Sequence, residues 1–227
     1  MKSGWPRAVL FDLDGTLIDS APDIAAAVNE LLALSGRRPL TVAAVTSMIG
    51  NGVEKLVERA LNATGDPLRA QALEREQAAM LDIYARHLTG LTTLLPGVRK
   101  TLDTLRQDGI RLGLATNKQQ RFIETVFDHF GLSSLFDVVI GGGPGIVKKP
   151  APDILIAAMQ QLSATPSDTV MVGDSTSDVQ AAKAAGVRSV IVRGGYTSVP
   201  PEQLGADIVI DDMTGLTAAL ESLDLQG

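Results

Sequence analysis

Two aspartates one residue apart, Asp12 and Asp14, follow the apolar run Arg7-Ala8-Val9-Leu10-Phe11 and precede Gly15-Thr16. A short apolar run that ends in turn chemistry reads as a buried strand. Side chains alternate along a strand, so both carboxylates leave its end on the same side. Two carboxylates that close stay ionised together only with a cation or a shared proton. One can then act as nucleophile and its neighbour as proton carrier, with Mg²⁺ offsetting the repulsion. Gly15 lets the backbone turn sharply and approach a ligand. The plainer alternative is an acidic turn that only ends a strand.

A second acidic pair, Asp174 and Asp178, follows the run Thr169–Val172 and Gly173. Either residue alone could be an N-terminal helix charge. Beside Asp12 and Asp14 they complete an oxygen-rich cluster of the kind Mg²⁺ takes. Thr116 and Lys149 follow two other apolar runs. Thr116 competes with a helix-capping reading, and a loop lysine is usually solvated. The prolines of Lys149-Pro150-Ala151-Pro152, however, would hold the lysine stem in place.

The elements that must position these groups are legible in the periodicity. From 19 to about 90 the pattern is helical: Asp23–Leu34, Val53–Ala63 and Leu68–Leu88, with Thr41 as an N-cap and Gly50-Asn51-Gly52 as a break. No strand is expected in this block. From Leu95 onward, helices and short β-branched runs alternate. The strands are placed at Arg111–Ala115, Asp137–Ile140, Thr169–Val172, Ser189–Val192 and Asp207–Ile210. The helices are placed at Val98–Gln107, Arg121–Phe130, Asp153–Leu162, Val179–Ala185 and Leu216–Leu223. Such alternation implies βαβ crossovers and an α/β, doubly wound parallel sheet covered on both faces. With Arg7–Phe11 in that sheet, the expected organisation is a core of residues 1–19 and 91–227 interrupted by an all-helical insertion over residues 20–90. Ligands of open α/β sheets bind beyond the carboxyl ends of the strands, so the scattered polar residues should converge there.

Composition narrows the function classes. The 227 residues are 45% hydrophobic and 20% charged, with no cysteine, which describes an ordinary globular protein without thiol chemistry or cysteine-held metals. A formal net charge of -6 argues against nucleic acid or anionic membrane as partner, so local cations must draw in an anionic substrate. With no signal-like or membrane-spanning run, the expected location is the cytoplasm. Gly141-Gly142-Gly143-Pro144-Gly145 fails the dinucleotide spacing and reads as a mobile connection. His87 and His129 read as isolated structural residues, and Trp5 as core or edge packing.

The ordered set Asp12-Leu13-Asp14-Gly15-Thr16, Thr116, Lys149 and Gly173-Asp174-x-x-x-Asp178 resembles the signature of haloacid-dehalogenase-like phosphatases, across essentially the whole chain. Asp19-Ser20-Ala21-Pro22-Asp23, Thr116-Asn117-Lys118, Lys148-Lys149-Pro150 and Gly173-Asp174-Ser175 further resemble its phosphoglycolate phosphatase branch. Gly143 departs from that branch, which often carries an acidic residue there. The resemblance implies a Rossmann-like core with a helical cap. Asp12 would be the nucleophile and Asp14 the acid and base. Mg²⁺ would sit on Asp12, Asp174 and the Asp14 carbonyl with Asp178 close by, and Thr116, Lys149 and the backbone near Leu13 and Asn117 would hold the phosphoryl group. The cap turn Gly50-Asn51-Gly52 opens a helix whose N–H groups suit an anion, with Lys55 to add a cation, or is only a hinge between helices. The expected substrate is a small anionic phosphomonoester, 2-phosphoglycolate in particular. A sugar phosphatase or phosphomutase and a phosphoacceptor signalling domain are the alternatives, and monomer and homodimer both stay open.

Overall fold

The computed structural model describes residues 5–223. Its central sheet has six strands. They are β1 (Ala8–Phe11), β4 (Arg111–Gln119), β5 (Val138–Gly142), β6 (Thr169–Gly173), β7 (Arg188–Val192) and β8 (Ile208–Ile210). They run in the order β5-β4-β1-β6-β7-β8 with every pairing parallel. Parallel neighbours need crossovers, supplied here by α5 (Val98–Gln107), α6 (Gln120–Phe130), α7 (Asp153–Gln161) and α8 (Thr176–Ala185), with α9 (Leu216–Ser222) closing the chain. Ala8, Val9, Leu10 and Phe11 are wholly buried, as a central strand covered on both faces requires. All six strands expected from the sequence are present.

The helical block consists of α1 (Ala21–Leu34), α2 (Val42–Thr46), α3 (Val53–Thr64) and α4 (Ala70–Tyr84). These helices pack on one another, α1 against the other three and α3 against α4. Thr41 caps α2, its hydroxyl accepting from the Ala44 N–H at 3.2 Å. Helix α4 stops at Tyr84, short of the expected Leu88, although Leu88 still reaches the core. The block is flanked by a feature the sequence did not announce. Strands β2 (Ile18–Asp19) and β3 (Thr93–Leu94) pair antiparallel where the chain leaves and rejoins the sheet. Two-residue strands carry no periodicity to read. Beside this ribbon the buried Asp23 carboxylate accepts from the N–H groups of Leu91 and Thr92 and from the Thr92 hydroxyl, at 2.7–3.0 Å.

The glycine-rich stretch is corrected in part. Gly141 and Gly142 belong to β5, with Gly142 paired to Gln119, and only the residues after them leave the sheet. A side chain at 141 would bring a Cβ within 2.5 Å of Ile123, so glycine here permits close packing of strand and helix. The remaining small expectations hold. Trp5 packs against the main hydrophobic core, His129 lies in the last turn of α6, and His87 pairs with Glu30 at 2.8 Å.

Candidate active site

Strand β1 lies between β4 and β6, the point at which the strand order reverses, and the crevice beyond the strand ends opens there. Asp12 follows β1 directly, its N–H held by the Val172 carbonyl of β6 at 2.9 Å. One carboxylate oxygen, Oδ1, accepts from the Leu13 N–H at 2.8 Å and lies 3.1 Å from Lys149 Nζ. The Thr116 hydroxyl, in the last half of β4, also donates to Asp12. Lys149 is no solvated loop lysine. It is buried, and its ammonium reaches Asp178 Oδ1 at 2.6 Å.

Asp178 is wholly buried in the first turn of α8, where the helix-start reading holds. Its Oδ2 accepts from the N–H groups of Asp174 and Ser175 and from the Ser175 hydroxyl, at 3.2, 3.0 and 2.6 Å, which fixes the helix start. With Oδ1 on Lys149, both its oxygens are engaged. Asp174 accepts from the Thr16 hydroxyl at 3.1 Å and the Tyr196 N–H at 2.6 Å. The backbone closes tightly on this pair. A Cβ at Gly195 would lie 2.2 Å from the Asp174 side chain, and one at Gly173 would lie 2.3 Å from that of Asp178.

Asp12, Asp174 and Asp178 each offer a carboxylate oxygen, all within 4.8 Å of one another. Burial, and then the Asp178 charge, push Asp12 up to about 6 against the pull of Lys149. Burial, with the charges of Asp178 and Asp12, holds Asp174 well above the usual carboxylate range. Three carboxylates, Asp174 and Asp178 buried and Asp12 half-buried, face one ammonium, which leaves an excess of negative charge. Hard anionic oxygens at this spacing suit Mg²⁺, and the residues fit it.

The other expected residues divide. Asp14 turns toward the helical block, its Oδ1 accepting from the Ser20 hydroxyl at 2.6 Å and from Lys118 Nζ at 2.9 Å. Lys118 also donates to the Tyr84 hydroxyl of α4 at 2.5 Å. Asn117 bridges the two regions, its side-chain N–H₂ donating to the carbonyls of Gly50 and Lys149 while its Oδ1 accepts from the Lys149 N–H. Gly50 and Gly52 line the pocket. Asn51 does not, its amide lying between Ser177 and Arg59. Lys55 is not brought to the pocket: it pairs with Glu58 at 2.7 Å on the exposed flank of α3. The cation that meets the start of α3 is Lys148, which binds Glu54 at 2.6 Å and holds its carboxyl low in spite of partial burial.

Sequence reasoning missed Lys118, Tyr84, Ser20 and Tyr196. The Tyr196 hydroxyl accepts from the N–H groups of Ser20 and Ala21 and donates to Asp19, so one residue joins Asp174 to the start of α1. Lys118 had a usable signal. Strand β4 runs on to Gln119 instead of ending at Ala115, and period two then sets Thr116 and Lys118 on one side.

Residues 9–192 match the family model described as haloacid dehalogenase-like hydrolase. A phosphoglycolate phosphatase of Pseudomonas putida is 44% identical over 218 residues, 93% of this chain and 78% of that protein. The crystal structure of a predicted phosphoglycolate phosphatase from Haemophilus somnus superposes with a TM-score of 0.90 at 28% identity, over 96% of this chain and 99% of that one. An Asp-to-Asn mutant of CbbY from Rhodobacter sphaeroides, in complex with xylulose-(1,5)bisphosphate, does so with a TM-score of 0.76 at 28% identity, over 93% and 96%.

Proposed function

The chain belongs to the haloacid dehalogenase-like hydrolase family, and on that premise we propose that it hydrolyses 2-phosphoglycolate to glycolate and phosphate through an aspartyl-phosphate on Asp12. The observation that supports this most directly is the setting of Asp12. One of its oxygens is fixed by Leu13 and Lys149, which leaves the other to attack. As the bond from Asp12 to phosphorus forms, the bond to the ester oxygen breaks, and Asp14 supplies the proton that the leaving alkoxide needs. Asp14 then takes a proton from the water that cleaves the acyl phosphate, which returns Asp12 to its carboxylate. Thr116 and Lys149 would hold phosphoryl oxygens, because both already converge on Asp12. Asp12, Asp174 and the Asp14 carbonyl would hold Mg²⁺, whose charge would offset that of the phosphoryl oxygens. Asp178 Oδ1 already meets Lys149 and its Oδ2 the start of α8, so in this reading it positions both beside the metal site. A single positioned donor is worth roughly 3–4 kcal/mol, far below what phosphate-monoester hydrolysis demands, so these groups act together.

Residues 20–90 form a cap over a core of 1–19 and 91–227 in this reading. The mutual packing of α1–α4 and the β2–β3 ribbon at the two crossings support it. The cap side of the pocket, with Ile24, Ile49, Val53, Leu56 and Met80, would exclude water while the phosphoenzyme exists. The test is phosphate release from a panel of small monoesters with Mg²⁺. 2-Phosphoglycolate is expected to have the highest kcat/KM. A winning sugar phosphate would move the assignment to the second reading, a sugar phosphatase or phosphomutase, which the bisphosphate held by the Rhodobacter sphaeroides relative favours.

A further inference from the structure

A phosphomonoester with a carboxylate beside the scissile bond brings a second negative charge into a pocket already lined by Asp12, Asp14 and Asp174. Lys55, expected to meet it, faces away, and Lys148 lies outside the lining. Among the residues that line the pocket, the single lysine or arginine is Lys118. Its side chain is 3% exposed and ends 2.9 Å from Asp14 Oδ1. An ammonium carries three protons, and Asp14 and Tyr84 use two of them.

Tyr84 adds a second donor. Because lysine can only donate, the Tyr84 oxygen is the acceptor in their 2.5 Å contact, and the phenol proton is left to point elsewhere. Burial pushes the phenol up to about 12 against the pull of Lys118, so that proton stays on the oxygen at neutral pH. Burial acts to lower the Lys118 ammonium, but Asp14 and Tyr84 together raise it, so it keeps its charge. The two groups face the same pocket from different parts of the chain, Lys118 from β4 and Tyr84 from α4. Two neighbouring N–H and O–H donors are the complement of a carboxylate's two oxygens.

Their position fits the chemistry. Asp14 protonates the ester oxygen, and in 2-phosphoglycolate a single methylene separates that oxygen from the carboxylate. A carboxylate so close to Asp14's target falls within reach of the ammonium bonded to Asp14 itself. We infer that Lys118 and Tyr84 form the receptor for the substrate's carboxylate and so set the preference for an acid group beside the scissile bond. This rests on the phosphoglycolate reading above and deepens it. It also explains how a pocket of net negative lining admits a dianionic phosphate with a further negative charge attached. The preference is written on a residue of the sheet and one of the helical block, so it is complete only when the two regions meet as they do here.

The experiment compares 2-phosphoglycolate with 2-hydroxyethyl phosphate, in which a hydroxymethyl group replaces the carboxylate, for the wild type, Lys118→Gln and Tyr84→Phe. Loss of Asp14 positioning would slow both substrates alike and cancels in the ratio of their kcat/KM values. For Lys118→Gln the ratio should fall by about 30-fold or more, chiefly through KM for 2-phosphoglycolate, since a site left without its partner charge discriminates poorly. Tyr84→Phe removes one hydroxyl and should lower the ratio by roughly three- to tenfold. Thermal melts report whether each variant folds, and if Lys118→Gln does not, Tyr84→Phe carries the test alone. Folded variants that keep the wild-type ratio would overturn the inference and leave the phosphoglycolate reading standing. A wild type that does not separate the two esters would overturn both.

Discussion

The pocket floor is made of strand-end residues Asp12, Asp14, Thr116 and Asp174, whereas the wall supplied by the helical block is Ile24, Ile49, Val53, Leu56 and Met80. On the floor each carboxylate is gripped by at least two donors. The wall offers shape and dryness, and apolar shape is a weak discriminator, worth about 1–3 kcal/mol per methylene. The contrast assigns reactivity to the floor. In the proposed reading, substrate choice falls to the few polar atoms at the seam between the two, where Lys118 meets Tyr84 and Asn117 meets Gly50.

The largest effect should come from the floor. Asp12→Asn keeps the size of the side chain and removes the attacking charge, so kcat should drop by roughly 10⁴-fold or more while circular dichroism stays that of the wild type. Near wild-type phosphate release by the pure variant would take the nucleophile away from Asp12, and the contrast with it.

Removal of the metal comes next. Chelation should abolish turnover and Mg²⁺ should restore it. Ca²⁺ should inhibit, because its looser and larger coordination shell would misplace the carboxylate. Asp12 sits up at about 6, so apparent Mg²⁺ affinity should strengthen as pH rises from 5 to 7 and the proton leaves. An affinity independent of pH across that window would argue against Asp12 as a ligand.

A smaller and less intuitive effect concerns stability in chelator. A carboxyl raised on folding binds its proton more tightly in the native state, so stability is fully present below its unfolded value near 3.8 and falls as pH rises toward about 6. The metal-free wild type should therefore lose stability relative to Asp12→Asn over that range. At pH 7 the variant should be the more stable by on the order of 1–3 kcal/mol, read from thermal melts at a series of pH values. A wild type more stable than the variant at pH 7 would show that the Lys149 pairing outweighs burial. Smallest of all, Lys55→Ala should stay within about twofold of wild type in kcat/KM, since its partner is Glu58 on an exposed flank. A larger loss would place Lys55 back at the pocket.

These outcomes follow how the residues were legible. Asp12 and Asp14 could be read because they follow directly on one legible strand and both line the pocket, and Asp178 because a carboxylate at a helix start obeys a local rule. The six strands were legible as β-branched runs between helices. Helix phase decides where Lys55 lies. Ile49, Gly52, Val53 and Leu56 face the pocket at three- and four-residue spacing, and 55 falls off that face. Lys118 stands within Thr116-Asn117-Lys118, but a strand ending at Ala115 gives it no direction, whereas β4 continues to Gln119. Tyr196 lies 22 residues beyond Asp174 in an irregular segment, where no periodicity exists to place it.

The two glycines pressed against the acidic pair bear on how this sequence can change over time. Neither Gly173 nor Gly195 has a group that reacts, yet the smallest possible side chain at either would occupy the space of Asp178 or Asp174. In a saturation library scored for growth or turnover, both positions should be as intolerant as the aspartates themselves. Lineages descending from this chain can remodel the apolar wall one substitution at a time. At Gly173 and Gly195 any first step that adds a side chain must displace a carboxylate.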